Sequence, residues 1–262
     1  MTARSRVVVD GAALDARFVP AAAGVSPRAA PLVFLHEGLG SVDLWRAFPD
    51  AVRARAGGPA TLVYSRRGYG CSEPAALPRP VTYMHHEAAV VLPAVLASFE
   101  LDRPVLVGHS DGASIALLYA GAGHPVRALV LIAPHVFVEE VTVAAIAEAR
   151  GAYASTGLRS SLARHHDDVD ATFRGWNDIW LDPAFRSWTI AECLPGVTCP
   201  VLLVQSAADP YGTAAQLDAV ESGVAGPVRR LLTPTPGHAP HHDDPEATLD
   251  AVAAFLSESA GA

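Results

Sequence analysis

The sequence predicts an α/β fold, with a mostly parallel central sheet flanked by helices on both faces and a helical segment inserted over the ends of its strands. Three observations carry this. Short, unbroken apolar runs recur along the chain, and stretches with helical spacing separate them. That beat then stops between about His135 and Pro195, a stretch holding three of the four tryptophans, and resumes after it. Strands buried on both faces read as continuous apolar runs, and strands alternating with helices imply parallel pairing through crossover helices. The expected partition is a core of residues 1–134 and 196–262, with a cap of residues 135–195 inserted in it.

The elements follow in order. "RVVVD" and "DARFV" read as short strands before an Ala/Gly/Pro-rich connection. "PLVFLH" (31–36) is the first strand buried on both faces. "SVDLWRAFPDAVRARAG" (41–57) has helical spacing, with Ser41 or Asp43 as the expected cap. "ATLVYS" (60–65) is the next strand, and a glycine-rich turn, "RRGYGCSEP", follows it. Thr82 to Phe99 reads as a helix that Pro93 kinks or breaks. "RPVLVGHS" and "VRALVLIAP" are two more buried strands, separated by a helix that begins at Ser110. Beyond the insertion, "CPVLLVQS" (199–206) is a strand, "TAAQLDAVESG" a helix, "VRRLLT" a short strand and "PEATLDAVAAFLSES" a terminal amphipathic helix.

Composition narrows the function. Half the residues are apolar and 18% are charged, which suits a packed core and not a disordered chain. A net charge of −8 with no basic run argues against a nucleic-acid partner. Every basic residue other than histidine is arginine, a coding bias from which no chemistry follows. Cys71, Cys193 and Cys199 are too few for a disulfide framework, so reduced thiols are expected. The N-terminus carries charges where a signal peptide needs an apolar core, and no apolar stretch reaches the roughly 20 residues of a membrane span. A cytoplasmic protein with no membrane partner, acting on a small molecule, is the expectation; oligomeric state is left open.

In open α/β sheets, ligands bind at the carboxyl ends of the strands, so candidate chemistry lies just after each strand. Gly108-His109-Ser110-Asp111-Gly112 matches the G-x-S-x-G nucleophile elbow, in the strand–turn–helix context that motif requires. The turn lifts the serine hydroxyl above the sheet, and the glycines leave room for the neighbouring strand and helix. The bland alternative is a serine that merely caps the helix. A serine hydroxyl needs a base, and the base an orienting carboxylate, in the chain order Ser, Asp or Glu, His. Asp209 follows the strand "CPVLLVQS" and His238 follows "VRRLLT". Asp209-Pro210 also suits an Asx turn. His241 and His242 are rival bases, but Gly237 gives His238 the tight exit from the strand.

The oxyanion hole is expected to combine the Asp111 N–H with that of Gly38 or Leu39, in the "HEGLGS" loop. Glu37 is unusual there, a carboxylate beside a site that must stabilise an anion, and either pairs structurally or holds a water or a cationic group. Trp176 and Trp180 lie about a turn apart, on a face that either packs onto the core or lines a substrate pocket. His165, His166, Asp167, Asp168 and Asp170 cluster in the insertion, but adjacent residues point apart and seldom chelate one ion. No metal site is expected, and a structural role for the cluster is.

With these residues in place, the chain resembles the α/β-hydrolase superfamily along essentially its whole length. "RRGYGCS" is similar to that family's Arg-Gly-x-Gly-x-Ser turn, and "GHAPHHDDPEA" to the segment after its catalytic histidine. "HEG" stands where "HG" is commoner, which leaves the second oxyanion donor open. "LHEGLGS", "GHSDGASIA", "APHVFVEE" and "HHDDVDATFRGWNDIWLD" resemble a bacterial subgroup of serine hydrolases. The resemblance implies cofactor-free, two-step acyl transfer: Ser110 attacks, His238 shuttles the proton, and water releases the acyl group. An ester hydrolase for small, mainly apolar substrates is the leading expectation. A thioesterase, a lactonase and a carbon–carbon bond hydrolase use the same machinery. Dehalogenase and epoxide hydrolase chemistry places Asp at the elbow, where this chain has Ser110. A dehydrogenase is excluded because no G-x-G-x-x-G opens the first helix.

Overall fold

A computed structural model describes residues 4–26 and 29–260. The outermost ends of the expected core, residues 1–3 and 261–262, lie outside the described residues, as do residues 27 and 28 of the Ala/Gly/Pro-rich connection. The chain opens with β1 (Arg4–Val9) and β2 (Ala12–Val19), paired antiparallel through a tight turn at Asp10 and Gly11, both with positive φ. The next elements are β3 (Leu32–Leu35), α1 (Phe48–Arg55) and β4 (Thr61–Tyr64), then α2 (Tyr83–His86) and α3 (Leu92–Ser98). β5 (Val105–His109), α4 (Asp111–Gly121) and β6 (Ala128–Ile132) complete the first half. α5 (Glu140–Ser155), α6 (Leu158–Leu162) and α7 (Val169–Leu181) follow, and then β7 (Val201–Ser206), α8 (Ala214–Gly223), β8 (Val228–Thr233), α9 (Pro240–Asp243) and α10 (Pro245–Ala260).

The eight strands form one sheet in the order β1-β2-β4-β3-β5-β6-β7-β8, parallel from β4 to β8 and antiparallel at the β1–β2–β4 edge. Alternate residues of each central strand feed two cores, because side chains in a strand alternate between faces. Val33, Leu35, Leu106, Leu129, Leu131 and Leu203 pack with α3, α4 and the insertion. Leu32, Phe34, Val105, Val107, Val130 and Val204 pack with Trp45, Phe48, Val252 and Phe255 on the other face. With both faces covered, every residue of β3, β5, β6 and β7 is buried, which accounts for the unbroken apolar runs.

Two helices differ from the expectation. The segment 41–47 is a series of turns and α1 starts only at Phe48, with Ala47 at its cap, so neither Ser41 nor Asp43 caps it. Arg46 has φ +50°, which interrupts any helix entering from upstream, and Pro49 suits a first turn whose N–H groups need no partner. Between α2 and α3, Glu87–Val91 forms a π-helical turn. Pro93 has no N–H to donate to a preceding carbonyl, and the widened turn just before it takes up that fault without ending the helix.

The segment between β6 and β7 is stitched at its base by a bridge between Phe137 and Thr189 and by donation from Ile190 N to Val136 O at 2.8 Å. It reaches the carboxyl-end loops of the sheet at several points. Asp167 N donates to Gly70 O, and Thr172 Oγ1 donates to Gly68 O. Asp168 accepts from Ala171 N as the cap of α7, and Asp170 pairs with Arg159 and Tyr153.

The closest approach in the sheet region is that of α4 to β3. A Cβ on Gly112 would collide with the Leu35 carbonyl and lie 2.8 Å from the His36 carbonyl oxygen, while one on Gly108 would lie 2.6 Å from Ala113 N. These obstacles are all main chain and cannot swing aside. Gly112→Ala is therefore expected to cost about 2–4 kcal/mol or more of stability, as overpacking against rigid neighbours does, read as a fall in the urea midpoint. An unchanged midpoint would show that α4 can move off β3.

Candidate active site

The elbow is built as its glycines demand. Ser110 sits between β5 and α4 with φ +52° and ψ −118°, a conformation that is costly for a residue with a side chain. Its N–H donates to Ile132 O on β6 at 2.9 Å, and its carbonyl accepts from Ala113 N and Ser114 N. The peptides on either side are thus pinned. The Ser110 side chain makes no capping bond to α4, so the helix-cap reading of this serine does not hold.

Asp209 and His238 meet after β7 and β8. Both carboxylate oxygens of Asp209 lie 2.9 Å from Nδ1 of His238. Asp209 also accepts from Tyr211 N at 2.8 Å, so the Asx turn and the imidazole contact coexist on one buried side chain. Donation from Nδ1 leaves Nε2 of a neutral His238 ring with its lone pair exposed. The His238 carbonyl accepts from Nε2 of His109, the residue just before Ser110, at 2.8 Å. The rival histidines are committed elsewhere. His241 is buried between Trp45, Phe48 and His109, and His242 donates to Leu44 O.

The loop after β3, expected to supply the second oxyanion donor, is held from one side. The Glu37 carbonyl accepts from Nδ1 of His36 at 2.7 Å, Nη2 of Arg66 at 3.0 Å and Gly40 N at 3.1 Å. A trans peptide points its N–H opposite to its C=O, so the Gly38 N–H faces away from these donors. Among the described residues, neither Gly38 N–H nor Leu39 N–H donates to a protein acceptor. The Leu39 carbonyl accepts from Nε2 of His166 at 2.9 Å, and Nδ1 of the same ring accepts from Gly70 N. The Asp111 side chain is buried, accepting from Tyr83 Oη at 2.7 Å and lying 3.6 Å from Arg66. Arg66 therefore touches both halves of the expected hole: the peptide behind Gly38 and the side chain of Asp111.

Both tryptophans sit on α7 and are buried. The Trp176 indole lies on Gly38, where any Cβ would overlap it, so the insertion roofs the loop directly. Trp180 packs edge-on against His135 at 5.1 Å and joins Phe185 and Trp188 in an aromatic cluster. His135 in turn lies 5.7 Å from the His238 ring. Ser110 is 7% exposed. A separate cleft of about 210 Å3 opens between the 68–79 turn and α7, and the elbow does not line it.

Three residues that hold the site together are not among the expected site residues: His109, Arg66 and His166. His109 and Arg66 lie inside motifs whose glycines and serine carry the recognisable pattern. His166 belongs to the insertion's His/Asp cluster, but unlike Asp170 it is buried and bridges two loops of the core.

Charge at the site is arranged by burial and by two carboxylates. Burial pushes the Glu37 carboxyl up, but the His109 imidazole 3.4 Å away outweighs it and keeps the group well below the usual range. The same contact raises His109 against the cost of its own burial. Burial drives the other enclosed imidazoles down: His36 and His241 well below their ordinary value, His166 below it, and His135 to about 3.

A sequence model described as the alpha/beta hydrolase family matches residues 32–251, and the chain belongs to that family. Solved structures share its fold at low identity. A proline iminopeptidase of Mycobacterium smegmatis is 18% identical, with a TM-score of 0.75 over 98% of each chain. The enol-lactonase of Burkholderia xenovorans LB400 is 18% identical, with a TM-score of 0.76 over 97% of this chain and all of that one. An esterase of Exiguobacterium antarcticum is 19% identical, with a TM-score of 0.73 over 97% and 99%. No curated protein sequence matches the chain. Among the described residues, no helix is long and apolar enough to cross a membrane. The protein is an α/β-fold hydrolase.

The buried histidines make stability pH-dependent. An imidazole whose folded pKa lies below its unfolded value binds a proton more readily in the unfolded chain. Its contribution is intact above about pH 6.5 and shrinks as pH falls through that value. His36, His135, His166 and His241 act in this sense, and His109 alone acts in the opposite one. The urea midpoint is expected to fall on acidification from about pH 7 to about pH 5. A midpoint that holds or rises would mean that these rings are charged in the folded state.

Proposed function

We propose that this hydrolase cleaves carboxylic esters of small, mainly apolar substrates through an acyl-enzyme on Ser110. The observation that carries the reading is the Asp209–His238 pair, with the His238 carbonyl bonded to the residue adjoining Ser110. It ties base, carboxylate and strained serine to a single end of the sheet.

In this reading Ser110 Oγ attacks the substrate carbonyl carbon as its proton passes to Nε2 of His238. Asp209 holds the ring by Nδ1 and stabilises the imidazolium that forms. The oxygen of the tetrahedral intermediate takes hydrogen bonds from Asp111 N–H and from Gly38 or Leu39 N–H, groups with no other call on them at the start of α4 and in the loop after β3. The positive end of the α4 dipole adds to this, and the Arg66 guanidinium polarises the Glu37–Gly38 peptide from behind. Collapse expels the alcohol, which collects its proton from His238. Water then repeats the sequence on the acyl-enzyme and frees the acid. Trp176, whose indole lies on Gly38, puts an aromatic surface beside the loop, which supports small apolar substrates over charged ones, while Trp180 is packed into the aromatic cluster behind it.

Ser110→Ala is expected to abolish hydrolysis of p-nitrophenyl acetate and butyrate, and Asp209→Asn to lower kcat about 10³–10⁴-fold with the fold retained. Parallel assays on acyl-thioester and lactone substrates separate the bond types that the same machinery serves. Equal rates of nitrophenol release by wild type and Ser110→Ala would overturn the assignment.

A further inference from the structure

Glu37, in the loop after β3, does more than neutralise a charge. The geometry points to Glu37 and His109 as a positioning pair for His238: the Glu37 carboxylate faces one nitrogen of the His109 ring, whose other nitrogen holds the His238 main chain. This rests on the reading of His238 as the base.

The pair joins loops from three strands. Glu37 follows β3, His109 ends β5 and His238 follows β8. Nε2 of His109 meets a carbonyl oxygen at 2.8 Å, so it donates there. Nδ1 faces Glu37 Oε2 at 3.4 Å, and the ring is 3% exposed. Nδ1 makes no hydrogen bond of its own, so the carboxylate acts on the ring by charge across that distance, which favours the positive ring. The titratable groups that act on it are Glu37, Asp209, His135, His238, His241 and His242, and of these only the two carboxylates favour its charge. Trp45, at 6.3 Å, and His241, at 4.8 Å, wall the ring edge-on and hold its plane.

His238 needs such an anchor. Gly237 before it has φ +149°, a conformation that only glycine adopts readily, and Ala239 N after it donates to Asp243 Oδ2, so the His238 carbonyl between them takes its direction from the bond to His109. Asp209 fixes the far end of the side chain at Nδ1. A ring held at one atom can pivot, whereas a ring whose own carbonyl is also tied keeps Nε2 on one line. A misplacement of about 1 Å in such a group costs on the order of 10²-fold in rate, so the anchor affects turnover more than binding.

The test compares three variants. His109→Phe keeps the ring volume and removes the donor; kcat for p-nitrophenyl butyrate is expected to fall about tenfold or more, with KM little changed. His109→Gln places an amide N–H near the position of Nε2 and is expected to restore kcat to within about threefold of wild type. Glu37→Gln should lower kcat by less than His109→Phe, and adding it to His109→Gln should cost nothing further, since the carboxylate acts through the ring. Hydrogen exchange of the 235–239 segment gives a readout independent of activity: faster in His109→Phe, wild-type-like in His109→Gln. Wild-type kcat and exchange in His109→Phe would overturn the proposal, as would a loss in Glu37→Gln that adds in full to that of His109→Gln. Hydrolysis that survives Ser110→Ala would instead overturn the catalytic reading, and the exchange measurement would still decide the anchor.

Discussion

The first turn of α4 lies against the carboxyl end of β3 with no side chain between them, Gly112 facing the carbonyls of Leu35 and His36. That contact brings two backbone segments together that are some seventy residues apart in the chain. One carries the loop from Glu37 to Gly40, and the other carries Ser110 and the open N–H groups of a helix start. β3 and β5 pair side by side, with Leu35 opposite Gly108, so both segments leave the sheet together, and the glycine contact sets how closely they approach. The positive φ at Ser110 is the local cost of the arrangement, and the bonds from Ser110 to β6 and α4 hold it in place.

Around this junction the protein buries an unusual amount of polar chemistry. Arg66 is 2% exposed and touches the Glu37 carbonyl, Asp111 and the face of Tyr69, while Tyr83 closes the other side of Asp111. A buried charge network of this kind is poor evidence for net stability, because desolvation offsets much of the attraction. Its effect here is geometric. One guanidinium holds the Glu37–Gly38 peptide and contacts the Asp111 side chain, so the two segments cannot drift apart independently. His166 does comparable work from the insertion, tying Leu39 to Gly70. The loop is held from the sheet side by Arg66 and from the insertion side by His166 and Trp176.

Periodicity and turn chemistry are legible in the sequence where a single local rule decides the outcome. Strands buried on both faces appear as apolar runs, and the turn at Ser110 as glycines two residues to either side. They mislead where two rules compete. Helical spacing over 41–57 was real, but Arg46 in the left-handed region broke it, and no apolar pattern encodes the φ of one arginine. Pro93 is an evident fault in a helix; that a π-helical turn absorbs it goes with the packing of that turn against α4. His166 looked like one of five solvated polar residues, because a sequence does not say which member of a His/Asp cluster turns inward.

By itself the sequence determined the fold class, the order of the strands along the chain, and which serine, carboxylate and histidine stand at strand ends, since all of these follow from short-range patterning of apolar and turn residues. Tertiary structure alone decided which groups meet: that Glu37 faces His109, that His109 holds His238, and that Arg66 reaches Asp111. Those contacts span dozens to more than a hundred residues of chain. They are decided by where loops from different strands arrive on one edge of a twisted sheet, and hydrogen-bond geometry acts over a few ångströms of space whatever the separation in sequence.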